Sequence, residues 1–108
     1  MTTAREKMQE LHTRILERKA EASAIGAVYR FILEGDGGGT FVVNLKDDVG
    51  VKEGDGPAPC TIRMSGQDAV DLFEGRANGQ ALFFGQRLKV EGDLALALKL
   101  QALTDILK

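Results

Sequence analysis

The chain has 108 residues, enough for one domain around one hydrophobic core, with 14 basic against 16 acidic residues and a net charge of −2. That balance offers no electrostatic footprint for nucleic acid and no broad basic face for anionic lipid. Cys60 is the only cysteine, which excludes an intrachain disulfide and a zinc site built on cysteines. No apolar run approaches the roughly 20 residues of a membrane-spanning helix, and the first residues lead into charge rather than into the apolar core of a secretory signal, so the expected compartment is the cytoplasm.

Thr3-Ala4-Arg5-Glu6 reads as a capping box opening a helix that runs to about Ser23. Ala4, Met8, Leu11, Ile15 and Ala22 form its apolar stripe; Lys7, Glu10, Arg14, Glu17 and Glu21 lie opposite. His12, the only histidine, is expected to be solvated on that helix. From Ile25 the period changes to two. Tyr29, Phe31 and Leu33, then Phe41, Val43 and Leu45, alternate with more polar neighbours across the turn Asp36-Gly37-Gly38-Gly39, which predicts a hairpin with one apolar face. A weak strand at Val49-Gly50-Val51 suits a sheet edge. Cys60, Ile62 and Met64 give a further strand, with Cys60 pointing inward as a small apolar residue. Ser65 to Asp68 is a second helix start, Gly75 its stop, and Asn78 the cap of a short helix from Gly79 to Phe84. Strand Leu88-Lys89-Val90 follows. Asp93 then caps a last helix over 93–108.

Each strand has one apolar and one polar side, so the pattern predicts an α+β fold: a mostly antiparallel sheet wet on one face and covered by helices on the other. On a wheel the last helix carries two apolar stripes, Leu96, Leu100, Leu103 and Leu107 on one side and Leu94, Ala95, Leu98 and Ala102 on another. A helix apolar on two sides needs two covers. The inward material, among it Phe31, Phe41, Val43 and Met64 from the sheet and Phe83 and Phe84 from the short helix, either interlocks as a filled core or lines a pocket for an apolar molecule. Periodicity does not separate the two. No acid–base pair, nucleophile with a base, or metal-ligand spacing is visible, so no catalytic residue, cofactor or metal is expected.

The series Asn78-Gly79-Gln80-Ala81-Leu82-Phe83-Phe84-Gly85-Gln86-Arg87-Leu88-Lys89-Val90-Glu91-Gly92-Asp93, followed by Lys99-Leu100-Gln101, resembles the sterol carrier protein 2 family, and Phe41 to Lys46 and Cys60 to Ser65 fit the same pattern. Gly79 stands where the family usually has proline, and Gly85-Gln86 reverses its usual order. The chain ends without the Ser-Lys-Leu peroxisomal address. The resemblance implies a five-stranded sheet covered by helices around an apolar tunnel, one lipid-binding domain over 1–108. It divides into the helix 1–23, the sheet with two short helices over 25–92, and the helix 93–108. It implies a non-catalytic carrier of a fatty acid, fatty acyl-CoA or sterol-like lipid, with transient membrane contact. Phe41, Gln80, Phe83, Ala95 and Leu98 are the positions that match its tunnel wall; with Phe31, Val43, Met64, Phe84 and Leu94 they make the candidate ligand-binding set. The alternative is an accessory or dimerisation module that buries the same apolar face against a homodimer mate or a partner enzyme.

Overall fold

The structure, a computed structural model, describes residues 2–35 and 37–106. Helix α1 spans Ala4–Glu17 and α2 Lys19–Ile25; strands β1 Val28–Glu34, β2 Gly39–Asn44, β3 Gly50–Glu53 and β4 Cys60–Ser65 follow. Helices α3 Gly66–Phe73 and α4 Gly79–Phe84, strand β5 Leu88–Gly92, and helices α5 Leu94–Ala97 and α6 Leu100–Ile106 complete the α+β architecture. The five strands lie in the order β3-β2-β1-β4-β5. All neighbours are antiparallel except β1 and β4, which run parallel with Phe31 opposite Ile62. The weak strand is at an edge, as its glycine and charge suggest.

The inward side of the sheet carries Tyr29, Phe31, Val43, Ile62 and Met64, all essentially solvent-free. Against it pack the α1 stripe Ala4, Met8, Leu11 and Ile15, and from α3 Ala69, Leu72 and Phe73. The rings of Phe31 and Phe73 meet edge to face at 5.9 Å. On the outer side the arm of Arg30 crosses β4, donating from Nε to Thr61 Oγ1 at 3.1 Å and from Nη1 to Asp55 at 3.1 Å, so Thr61 is buried there.

Two expected helices are each divided. The first breaks at Arg18, whose backbone (φ −129°, ψ 49°) leaves the helical region while its N–H still bonds back to Arg14 and Ile15 carbonyls. No glycine or proline marks the break, and the apolar stripe continues across it to fully buried Ala22. The last helix breaks between Ala97 and Leu100. Bonds from Leu96 N–H to Asp93 O, Lys99 N–H to Leu96 O and Ala102 N–H to Lys99 O all span three residues, a tightened 3₁₀ geometry. Tyr29 holds the break in place: its hydroxyl donates to the Leu96 carbonyl at 2.6 Å. Burial, and then the neighbouring Cys60, push the Tyr29 pKa up, so the hydroxyl keeps the proton it donates. The expected turn residue Asp36, and Leu107 of the first stripe, lie outside the described residues.

His12 is not solvated as its sequence neighbours suggest. It is half-buried, and its Nδ1 accepts the Val51 backbone N–H at 2.8 Å, tying α1 to the edge strand. Gly50 makes room for the ring: its φ is +147°, and a Cβ there would stand 2.9 Å from His12 Cε1.

Candidate functional site

Helix α4 begins the site. Asn78 caps it, Oδ1 accepting from Gln80 N–H at 2.8 Å and Ala81 N–H at 3.2 Å. Along its six residues Leu82 turns down into the core and is 4% exposed, while Phe83 and Phe84, on the next faces of the helix, are 44% and 79% exposed. The two rings meet edge to face at 5.8 Å. The helix ends in a left-handed residue, and that residue is Gln86 (φ +62°), not the glycine before it. The inversion of Gly85 and Gln86 noted in the sequence therefore puts a side chain where backbone strain favours glycine. Just beyond, Arg87 fixes the exit: its guanidinium makes a two-pronged ion pair with buried Asp68 of α3. The α4–β5 corner is thereby tied to the core.

Across from α4, Asp93 caps α5 by accepting Ala95 N–H at 2.9 Å. This short helix and its Tyr29 anchor present Leu94, Ala95 and Leu98 toward Phe83 and Phe84. Between them lies a cavity of about 680 Å³, floored by Leu72, Leu88, Val90 and Leu100. That volume is within the range of small-molecule pockets, about 300–1,000 Å³. Leu94 is 59% exposed and Leu98 80%, so the rim is open and apolar. None of the lining residues is ionisable; the polar members are Asn78, Gln80, Gln101 and Thr104. Thr104 Oγ1 is occupied, donating to Gln101 O at 2.8 Å and accepting from Gln101 Nε2 at 3.2 Å. No buried side-chain nitrogen or oxygen among the described residues lacks a partner.

Six of the ten candidate residues, Gln80, Phe83, Phe84, Leu94, Ala95 and Leu98, come together on this wall. The other four do not. Phe31, Phe41, Val43 and Met64 are 0–3% exposed and sit in the packed core under α1 and α3, outside the lining. The alternation of a strand identifies its inward side but not which stretch of that side meets helices and which meets space. Gln101 and Thr104 of α6 were missed, as were Gly79 and Ala97. The signal for the first two was available: they lie three apart on one helix face. Cys60 is buried between Tyr29 and the α5 cap, where burial and then the Asp93 carboxylate push its thiol pKa up, against thiolate chemistry. Among the described residues no group of His, Cys, Asp and Glu is placed to hold a metal ion, and no helix is long and apolar enough to cross a membrane.

The fold and the amino-acid pattern have relatives. Residues 7–105 match the model of the SCP-2 sterol transfer family. Sterol carrier protein 2 of Rattus norvegicus is 36% identical over 101 residues, covering 88% of this chain and 18% of that protein. Hydroxysteroid dehydrogenase-like protein 2 of Bos taurus is 37% identical over 83 residues, covering 74% of this chain and 20% of the relative. The chain thus spans about a fifth of the length of these curated relatives. Among solved structures, sterol carrier protein domain 2 of Helicoverpa armigera superposes with a TM-score of 0.76 at 28% identity, over 97% of this chain and 88% of the other. The apo form of Sterol Carrier Protein 2 from Yarrowia lipolytica gives 0.80 at 22% identity, over 94% and 88%. Sterol Carrier Protein-2 of Aedes aegypti, solved in complex with palmitate, gives 0.74 at 21%, over 100% of both chains. With the family model covering nearly all of it, and with the sheet order and helix cover described above, this chain belongs to the SCP-2 sterol transfer family.

Proposed function

We propose that this chain is a non-catalytic lipid carrier that holds the alkyl part of a single-chain lipid in the cavity between α4, β5 and α5. The observation that carries the reading is the cavity itself: about 680 Å³, with no ionisable lining residue and a rim of exposed Phe84, Leu94 and Leu98. Large apolar side chains left in water around a hollow are a cost that a bound chain removes, at about 25 cal/mol per Å² of apolar surface buried. The palmitate complex of the Aedes aegypti protein supports a fatty acid as the ligand class. Gln80 lines the same cavity, with its backbone N–H engaged in the α4 cap. Transient contact with a membrane would load and unload the chain.

Native mass spectrometry of the purified protein tests this. Adducts in the mass range of fatty acids or related lipids support it; a clean apo mass together with no uptake of added fatty acid overturns it. A second reading is favoured by the same exposed rim. An accessory or dimerisation module would cover Phe84, Leu94 and Leu98 with protein, and sedimentation would then show a constitutive dimer that takes up no lipid.

A further inference from the structure

The uncharged cavity does not close at Leu98. On the far side of that residue an open groove of about 530 Å³ runs between α2 and the start of α6, lined by Glu21, Ala24, Ile25, Leu98, Lys99 and Ala102. Leu98 is common to both linings and 80% exposed, so it forms a low sill between them rather than a wall. The two spaces differ in chemistry: the first has no ionisable residue, and the second has an ammonium.

We infer that this groove seats the anionic head of the ligand, with the carboxylate beside Lys99 and the chain crossing Leu98 into the main cavity. This deepens the lipid-carrier reading and rests on it. A carboxylate drawn into the main cavity would lose its water with no cation in the lining to replace it. Beside Leu98 it stays hydrated on one side and gains a positive charge on the other. Lys99 is held in place: its Nζ donates to the Ile25 carbonyl at the C-terminal end of α2, at 3.2 Å, and an ammonium has three donors, so a carboxylate can be met by the others. Backbone geometry keeps it there. Lys99 stands in the tightened link between α5 and α6, which Tyr29 fixes through Leu96. Glu21, on the opposite bank, opposes an anion and limits the gain. The ligand class that fits both spaces is a single-chain lipid with one carboxylate.

The test compares laurate with dodecanol, which share a chain length and differ in charge, each displacing a fluorescent fatty-acid probe at low salt and below its aggregation limit. Lys99→Gln keeps a donor for the Ile25 carbonyl but removes the charge; it should weaken laurate about three- to fivefold, the upper part of the range for an exposed ion pair, and leave dodecanol within twofold. Glu21→Gln should shift laurate the other way. Butyrate, an anion with almost no chain, should fail to displace the probe, which separates a lipid head from a free-anion site. Equal effects of Lys99→Gln on laurate and dodecanol, or none on either, would overturn the head assignment while leaving the chain cavity standing. Failure of both chains to bind the unaltered protein would instead overturn the lipid reading, and this inference with it.

Discussion

Leu98→Glu separates the cavity from the fold. Leu98 is 80% exposed and caps no helix through its side chain, so its replacement touches almost none of the packing that holds the molecule together. Exposed substitutions of this kind change stability by about 0.5 kcal/mol or less, and the melting temperature should move by no more than a few degrees. Ligand binding should respond very differently. A bound alkyl chain covers the leucine, and losing that contact forfeits about 2 kcal/mol of apolar burial. The new carboxylate must also shed water at the rim, adding about 1 kcal/mol. Together, about 3 kcal/mol corresponds to roughly a hundredfold weaker binding. Titration with a fluorescent fatty acid, alongside a thermal melt, reads both quantities. Leu103→Ala provides the opposite pattern: that side chain is fully buried on α6, and its truncation should cost about 3 kcal/mol of stability. Uptake by Leu98→Glu within threefold of the parent protein would refute the cavity as the binding site. Loss of the fold would refute the claim that this part of the chain is exposed rim.

Ligand affinity should climb with chain length by about 0.8 kcal/mol per methylene, so palmitate should bind about fifteenfold tighter than myristate; a flat series would contradict a chain enclosed in the cavity. Gln86→Gly should stabilise the protein. Relief of the left-handed backbone, about 1 kcal/mol, exceeds the added freedom of the unfolded chain, for a net gain of about 0.5 kcal/mol visible in urea denaturation; destabilisation would show that the Gln86 side chain earns its place. Gly50→Ala drives a Cβ to within 3 Å of the His12 ring on a backbone with φ +147° and should cost about 2 kcal/mol, part of it recovered when His12→Ala is added. Acid stability follows from the cluster at the end of α3. Hydrogen bonds from Lys7 and then Arg76 hold the Glu74 pKa below its usual value. Between the folded and the unfolded value only the unfolded chain takes up the proton, so stability is present above the unfolded carboxylate range and is lost as pH falls through the lowered folded value. Lys7 responds as the partner: burial opposes its charge, but the bonds to Glu10 and Glu74 outweigh that and raise its pKa. Glu74→Gln should lower stability at neutral pH and shallow its fall in acid denaturation curves, whereas an unchanged acid limb would show that the pair contributes nothing.

How far the amino-acid sequence reveals this molecule depends on the range of the physics involved. Caps and alternation are local, and they were legible: Thr3, Ser65, Asn78 and Asp93 each accept the backbone N–H their positions predict. The breaks at Arg18 and at Leu98–Lys99 carry no glycine or proline. The second depends on the hydroxyl of Tyr29, 67 residues away along the chain, a partner no helical wheel contains. His12 gains its role from Val51 by the same kind of distant meeting. At the site, the second stripe of the last helix showed that Leu94, Ala95 and Leu98 need a cover other than the sheet, and they lie on the cavity wall. For Phe31, Phe41, Val43 and Met64 the alternation was read correctly as inward, but inward here means beneath α1 and α3. Only tertiary packing decides that the sheet is filled at β1 and β2 and hollow toward β5.

The most direct test of that division is isotope-edited NMR with ¹³C-labelled palmitate bound to the protein. Nuclear Overhauser contacts should run from the chain methylenes to Phe83, Phe84, Leu94 and Leu98 and not to Phe31 or Val43. Contacts to Phe31 and Val43 with none to the α4 and α5 side chains would contradict the account, as would a chain that shows no contact to the protein interior at all.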